Sequence, residues 1–394
     1  MSMKYDKAFF DQPFDRHGTD CVKWDGMEAR LGEGVNPMWV ADMDFICPEE
    51  ITKAMVERAT HPAYGYTDYS ARATKAMLDF MQRRHNVTLT ADEQILLPCV
   101  VTGLRAATLA FTKPGDGIII QPPVYGPFYF SIKDNERTIM ECPLNRDENG
   151  RYTMNLESIE EACQNGAKMM MLCNPHNPVG RAWNREELEA LWAVLKRYDV
   201  LLVSDEIHED FVFEKGAFTP MLNVANGADD KVVALTSASK TFNLAGLQQA
   251  VAFARNTELL KTMNSTMHAV GVVSGNIFGL IAAEAAYTYG DEWLDGMLAY
   301  IKEGEAILRK ELAARLPEAV LTPLEATYLG WIDLTAYGFT VAQLQERCHK
   351  AGVEFTFGTF FGEKLGEYHV RINLACQHDR VIKAVESLEK AIKG

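Results

Sequence analysis

From about position 51 to about 289 the chain alternates short apolar runs with longer helix-like stretches, and this alternation limits the possible folds most. The candidate strands are residues 95–101, 117–121, 138–142, 168–173, 200–204, 232–236 and 250–254. They are short and often continuously apolar, as expected of strands covered on both faces. Helix patterns lie between them at 103–111, 156–164, 185–197 and 258–268. Such alternation needs right-handed crossovers, and these give an α/β fold with a mostly parallel sheet flanked by helices. In that architecture the carboxyl ends of the strands face the ligand crevice.

The last hundred residues read differently. A long helix pattern covers 292–315, followed by a strand at 328–334, a helix at 340–350, a strand at 369–374 and a helix at 380–392. That is a smaller α+β unit. The first 45 or so residues have little periodicity and much Gly, Asp, Pro and Trp, so an arm packed on the small unit or on a partner chain is expected. The 394 residues thus divide into an arm with part of the small domain (1–48), a large domain (49–290) and a small C-terminal domain (291–394).

Charge and cysteine usage exclude several classes. The net charge of −15 argues against binding nucleic acid or anionic lipid, which needs a basic surface. No helix-turn-helix segment is added to the main pattern. The eight cysteines form no CxxC pair and have no zinc-ligand spacing, so reduced thiols in a cytoplasmic protein without a metal centre are expected. The N-terminus MSMKYDKAFFDQPFDRHG lacks the apolar core of a signal peptide. The least polar stretch, 269–287, contains Ser274, Asn276 and Glu284, and reads as a buried helix with its approach rather than a membrane span.

Three motifs follow strand candidates. Lys240 lies in Thr-Ser-Ala-Ser-Lys-Thr-Phe-Asn, just past the run 232–235. A lysine at a buried strand end is costly without a task, although a lone lysine is most often solvated. Flanking hydroxyls and backbone N–H groups can hold a phosphate, and a desolvated lysine can form a Schiff base with an aldehyde. Pyridoxal 5′-phosphate requires that combination. Ser237 and Lys240 also match a Ser-x-x-Lys nucleophile pattern, but its Ser-Asp-Asn and Lys-Thr-Gly companions are missing. Asp205 ends the run 200–204, where a carboxylate can keep a pyridinium nitrogen protonated or simply cap a helix. His208, three residues on, can bond a ring oxygen or make a structural contact. Asn174-Pro-His-Asn-Pro-Val-Gly180 is a rigid turn after 168–173, and Asn177 offers an amide to a ring oxygen.

In this order and spacing, Asn-Pro-x-Gly, Ser-Asp-Glu-Ile and Ser-x-Ser-Lys resemble the fold-type-I pyridoxal-phosphate superfamily of class I/II aminotransferases. The resemblance runs from position 39 to 371. It implies that Lys240 carries the cofactor, that Asp205 pairs with the pyridine nitrogen, and that Asn177 and His208 contact the 3-oxygen. It implies a phosphate cradle at Val100, Val101 and Thr102 with Ser237 and Ser239, and ring stacking by Tyr125, which alone would read as a core anchor. It further implies that Tyr66 reaches the phosphate of a neighbouring subunit, so a homodimer with shared active sites is expected. Arg371, mid-strand in Val-Arg-Ile-Asn, would grip the substrate carboxylate with Ala41 and Asn177 nearby; alone it could equally form a surface salt bridge.

The chain is more similar still to the cystathionine β-lyase or cysteine-S-conjugate β-lyase (MalY/PatB-like) branch. Pro37-Met-Trp-Val-Ala-Asp-Met-Asp-Phe45 resembles its N-terminal signature, and His208 stands where aminotransferases have Tyr. Gln248 stands where many aminotransferases place a phosphate-binding Arg, which leaves one phosphate ligand open. The activity implied is α,β-elimination of L-cystathionine or S-substituted cysteines to pyruvate, ammonia and a thiol. Two rivals remain: an aminotransferase using a 2-oxo acid, and a cofactor-bound regulatory protein that binds a transcription factor.

Overall fold

The computed structural model describes residues 4–214, 216–273 and 275–394. The first three residues of the expected arm, and Ser274 of the expected buried stretch, lie outside the described residues.

The large sheet has seven strands: β1 (Gln94–Leu97), β2 (Gly117–Ile120), β3 (Thr138–Glu141), β4 (Met169–Cys173), β5 (Leu201–Asp205), β6 (Val232–Thr236) and β7 (Ala250–Phe253). Their spatial order is β1-β7-β6-β5-β4-β2-β3. β7 runs antiparallel to both its neighbours, and the other pairs are parallel. Every residue of β4, β5, β6 and β7 is buried, which accounts for their unbroken apolar runs. Successive residues feed opposite sides: Met169 and Met171 belong to one apolar cluster, Met170 and Leu172 to the other.

The helices Leu156–Gln164 and Arg185–Arg197 match their predicted spans. Asn184 and Glu187 close the latter's N-terminus in a capping box, and Leu188, Leu191, Trp192 and Leu195 form its buried stripe. Most strands lie within a residue of their expected bounds, but one ends well short. The 95–101 candidate ends at Leu97, and Val100 already opens the helix Val100–Phe111. Pro98 has no N–H for the ladder, and extended Cys99 turns the chain into the helix. The helix Ile277–Tyr289 occupies the expected apolar stretch. Glu49–Ala59, Ala71–His85 and Gly126–Lys133 are additional helices that the sequence pattern did not single out.

A second, four-stranded sheet contains β8 (Val320–Leu321), β9 (Leu329–Asp333), β10 (Thr356–Phe357) and β11 (His369–Asn373) in the order β8-β9-β11-β10, all antiparallel. The helices Asp291–Arg315 and His378–Lys393 pack together beside it. The N-terminal segment joins this part: Asn36–Pro37 pairs in parallel with Val353–Glu354, and Phe10 packs on Trp293 and Tyr300. Among the described residues no helix is long and apolar enough to cross a membrane.

Candidate active site

Register across the large sheet sets the first part of the site. Cys173 pairs with Asp205, and Asp205 with Leu235, so three strands end at nearly one level. The Asn177 turn, Asp205 and the Lys240 turn therefore leave the same edge. Ser237 caps the four-residue helix Ala238–Thr241, which carries Lys240. The second part comes from β11, whose middle residue is Arg371. Residues 39–45 lie between the two.

Towards the site that loop is held through its backbone, while the Asp42 and Asp44 side chains pair away from Lys240, with Arg16, Lys23 and Arg380. Lys240 Nζ donates to the Ala41 carbonyl at 2.6 Å, and the Tyr328 hydroxyl donates to the same oxygen at 2.9 Å. Asn373 Nδ2 donates to the carbonyls of Val40 and Asp42, at 2.6 and 2.7 Å. Asn243 accepts the Met43 N–H and donates to the carbonyls of Met43 and Phe45. Asn243, Tyr328 and Asn373 were not among the predicted site residues. Asn243 and Asn373 nevertheless end the Lys240 and Arg371 motifs, so a polar residue closing each motif was the available signal.

Arg371 is only 3% exposed, and no carboxylate lies within ion-pair distance of it among the described residues. Its guanidinium donates to Asn177 Oδ1 at 3.1 Å, to the Trp39 carbonyl at 2.9 Å and to Thr356 Oγ1 at 3.1 Å; Nε has no partner. The Phe361 ring lies 4.9 Å from the guanidinium carbon. Burial lowers its pKa to about 10, with Tyr125 and Tyr328 opposing. The surface salt bridge that the sequence left open is therefore not what the fold makes of Arg371.

The other charged groups are similarly undersupplied. Asp205 is buried, and its carboxylate accepts one bond, from the Ile207 N–H at 3.2 Å. Burial raises its pKa to about 7, partly offset by that N–H and by Lys240. Burial lowers Lys240 to about 8; Asp42 and Asp205 oppose this, while Arg371 reinforces it. His208 is buried with Nδ1 unpartnered, and burial together with Lys240 and Arg371 keeps it neutral. Tyr125 starts the helix Gly126–Lys133, and its hydroxyl feels both Arg371 and Asp205.

The positions expected to hold phosphate differ among themselves. Val100, Val101 and Thr102 form the first turn of a helix whose N-cap, Cys99, makes no side-chain bond to their N–H groups, its thiol meeting the Thr102 hydroxyl at 3.3 Å instead. Their N–H groups are the orphan donors of a helix start, an arrangement suited to an anion. Ser237 is already committed: it donates to the Gln249 carbonyl at 2.6 Å and accepts the Ser239 N–H at 2.9 Å. The Ser239 hydroxyl makes no bond among the described residues. Gln248 is exposed, in a left-handed conformation, and among the described residues its side chain bonds only the nearby Ala245 carbonyl. Tyr66 is fully exposed and lines a surface pocket together with Tyr69, Leu97, Pro98 and Val273.

The donor set fits pyridoxal 5′-phosphate and an amino-acid carboxylate. Orphan helix N–H groups and a free serine hydroxyl suit the phosphate. A buried carboxylate with spare capacity suits the ring nitrogen, and an unpaired guanidinium suits the substrate. Comparison with known proteins agrees. The family model for aminotransferase class I and II matches residues 30–388. The cystathionine beta-lyase PatB of Bacillus subtilis is 38% identical over 93% of this chain and 95% of its own. Cystalysin of Treponema denticola, whose structure contains pyridoxal 5′-phosphate, is 32% identical with a TM-score of 0.93 over 98% of both chains. The PLP-bound C-S lyase of Staphylococcus hominis is 30% identical with a TM-score of 0.90 over 98% of both chains.

Proposed function

The chain belongs to the class I and II aminotransferase family, and on that premise we propose that it is a pyridoxal-phosphate-dependent carbon–sulfur β-lyase of the cystathionine β-lyase type. The observation that carries the reading is Arg371, a buried guanidinium with no carboxylate of its own, bonded to the Asn177 turn. It supplies a forked donor for the carboxylate of an amino acid. Choice of the lyase over a transaminase is supported by similarity to PatB over nearly the whole chain, and by the clamped 39–45 loop.

Bound to Lys240, pyridoxal phosphate would act as the electron sink that makes the substrate's α-proton removable. Asp205 would keep the ring nitrogen protonated, Asn177 and His208 would face the 3-oxygen, and Tyr125 would cover the ring. The first-turn N–H groups of Val100, Val101 and Thr102, with Ser239, would hold the phosphate. Lys240 Nζ, lowered to about 8 by burial, has a far larger neutral fraction near neutral pH than an ordinary lysine, and as the neutral amine it can accept the proton from the substrate α-carbon. The bond from the β-carbon to sulfur then breaks, the thiolate leaves with the bonding pair, and hydrolysis yields pyruvate and ammonia. Arg371, Asn177 and the Ala41 carbonyl fix the substrate's orientation, so positioning supplies much of the rate.

A homodimer belongs to the same reading. Tyr66 and Val273 expose apolar surface at one pocket, and the full exposure of the Tyr66 ring supports a role towards a second chain. The domain division at residues 48 and 290 is likewise part of it, supported by β1–β7 falling in the middle segment and β8–β11 in the last. Eight unpaired cysteines support a reducing, cytoplasmic location.

The test is pyruvate release from L-cystathionine by the cofactor-loaded protein without any 2-oxo acid. Pyruvate and free thiol in equal amounts are expected. No pyruvate, with amino-group transfer once a 2-oxo acid is added, would overturn the lyase reading.

A further inference from the structure

Beneath the lysine turn lies a cluster of buried titratable groups that this reaction does not use. His85 ends the helix Ala71–His85, and Glu209 and Asp210 lie in the turn after β5. His85 Nε2 is 2.9 Å from Asp210 Oδ1, and the three groups each place an atom within 4.8 Å of the others. Both carboxylates also accept a threonine hydroxyl. Thr236 donates to Glu209 Oε1, and Thr241 donates to Asp210 Oδ2 at 2.7 Å. Glu209, Asp210, Thr236 and Thr241 are all buried.

The two threonines bracket the lysine turn. Thr236 ends β6, and Thr241 ends the helix that carries Lys240. A helix of one turn cannot hold its own shape in isolation. From above, the one tether of the Lys240 amine among the described residues is its bond to the Ala41 carbonyl, and that bond must be given up when the amine reacts. From below, the Ser237 cap and the two threonine bonds remain.

We propose that His85, Glu209 and Asp210 are positioning residues for Lys240: the adjacent carboxylates grip the lysine turn through Thr236 and Thr241, and His85 fixes Asp210 from the neighbouring helix. The inference rests on Lys240 being the reactive amine. The charge pattern supports it. Burial works against a charge on His85, but Glu209 and Asp210 outweigh it, and the helix C-terminus also favours a cation there. Burial pushes Glu209 and the adjoining Glu206 upward, His85 opposes this, and the cluster shares its protons among these groups in place of a counter-ion. Arg84 and Tyr287 are the other titratable groups acting on it. A bound cation fits poorly, because both Asp210 oxygens and Glu209 Oε1 are engaged, leaving Glu209 Oε2 as the one unpartnered carboxylate oxygen of the trio among the described residues.

The test compares cofactor-loaded wild type with Thr241→Val, Thr236→Val and Thr241→Ser. The readouts are kcat and KM for pyruvate release, and the pH midpoint of the bound cofactor's visible absorbance. Each valine variant is expected to lower kcat about tenfold with KM within roughly twofold, and to shift the spectral midpoint by about half a pH unit or more, because small misplacements of a reacting group are costly. Thr241→Ser is expected to restore both. Unchanged kcat and midpoint in both valine variants would overturn the proposal. So would a stoichiometric cation found in wild type and lost in Asp210→Asn. If Thr241→Val fails to fold, Thr236→Val cuts the other bond and decides. If wild type releases no pyruvate, the lyase reading falls, and the spectral midpoint still tests the clamp.

Discussion

Two buried charge clusters in this molecule use the same residue types and treat them oppositely. Around Asp44, the carboxylate accepts from Lys23 at 2.7 Å, Arg16 at 3.0 Å, the Trp24 indole at 2.9 Å and Arg380. Burial works against its charge, but Lys23 and Arg380 outweigh burial and hold Asp44 below the usual carboxylate range. Around Lys240, Asp205 and Arg371, the cations meet carbonyls, an amide and a hydroxyl, and every pKa moves toward the neutral form. Asp44 fastens the N-terminal segment to the C-terminal helix His378–Lys393, where satisfied ion pairs only need to hold shape. The second cluster bears unsolvated charge that a ligand would complete.

The sharpest break of this contrast is Lys240→Ala. Pyruvate release should fall by about ten-thousandfold or more, since both the cofactor attachment and the base are lost. Measured without cofactor in both proteins, the thermal midpoint should not drop, because a desolvated amine has been removed. Turnover like wild type would end the assignment of Lys240. Next, Asp44→Ala should cost about 3–5 kcal/mol in urea unfolding by stranding Lys23, Arg16 and Arg380. The folded fraction should keep its kcat. Arg371→Ala should do the reverse: kcat/KM falls about a hundredfold through lost carboxylate binding, with a smaller stability change than Asp44→Ala. Equal stability losses for the two would erase the distinction.

The pH dependence of the cofactor-free chain sharpens the comparison. Asp205 and Glu206, raised to about 7 by burial, bind protons in the fold that the unfolded chain releases near pH 4. Their effect is loss of stability as pH rises from about 4 to about 7. Asp44 acts in the other sense: its contribution is present above about pH 4 and is lost as pH falls. The stability gained by Asp205→Asn should therefore grow between pH 5 and pH 8, read by urea titration. A gain independent of pH would contradict it. The smallest effect separates the two serines. Ser239→Ala should weaken cofactor binding severalfold through one lost anion contact, whereas Ser237→Ala should cost about 1 kcal/mol of stability through its cap.

Much of the architecture was readable in advance because its causes are local. The strands β4 to β7 are continuous apolar runs, since both faces are covered. The Arg185–Arg197 helix announces itself by its capping box and apolar stripe. The boundary after β1 was misjudged because Val100 and Val101 continue the apolar composition while Pro98 ends the ladder. At the site, the motifs marked Lys240, Asp205, Asn177 and Arg371, but not the partners that give them their character. The carboxylates holding Thr236 and Thr241 were hidden inside a turn that reads as polar surface.

Chain order and composition alone fix the α/β alternation, the turns after the strands and the choice of residues in them. Whether a given charge is paired or left wanting was settled by contacts between distant segments. Lys240 meets Ala41 across 199 positions, and Arg371 meets Asn177 across 194. Asp44 finds Lys23, 21 positions away, and Arg380, 336 away, while Asp205 accepts only the N–H two residues on. An aspartate carries the same charge in either place. Its chemistry depends on how much water the fold removes and which partners the fold returns.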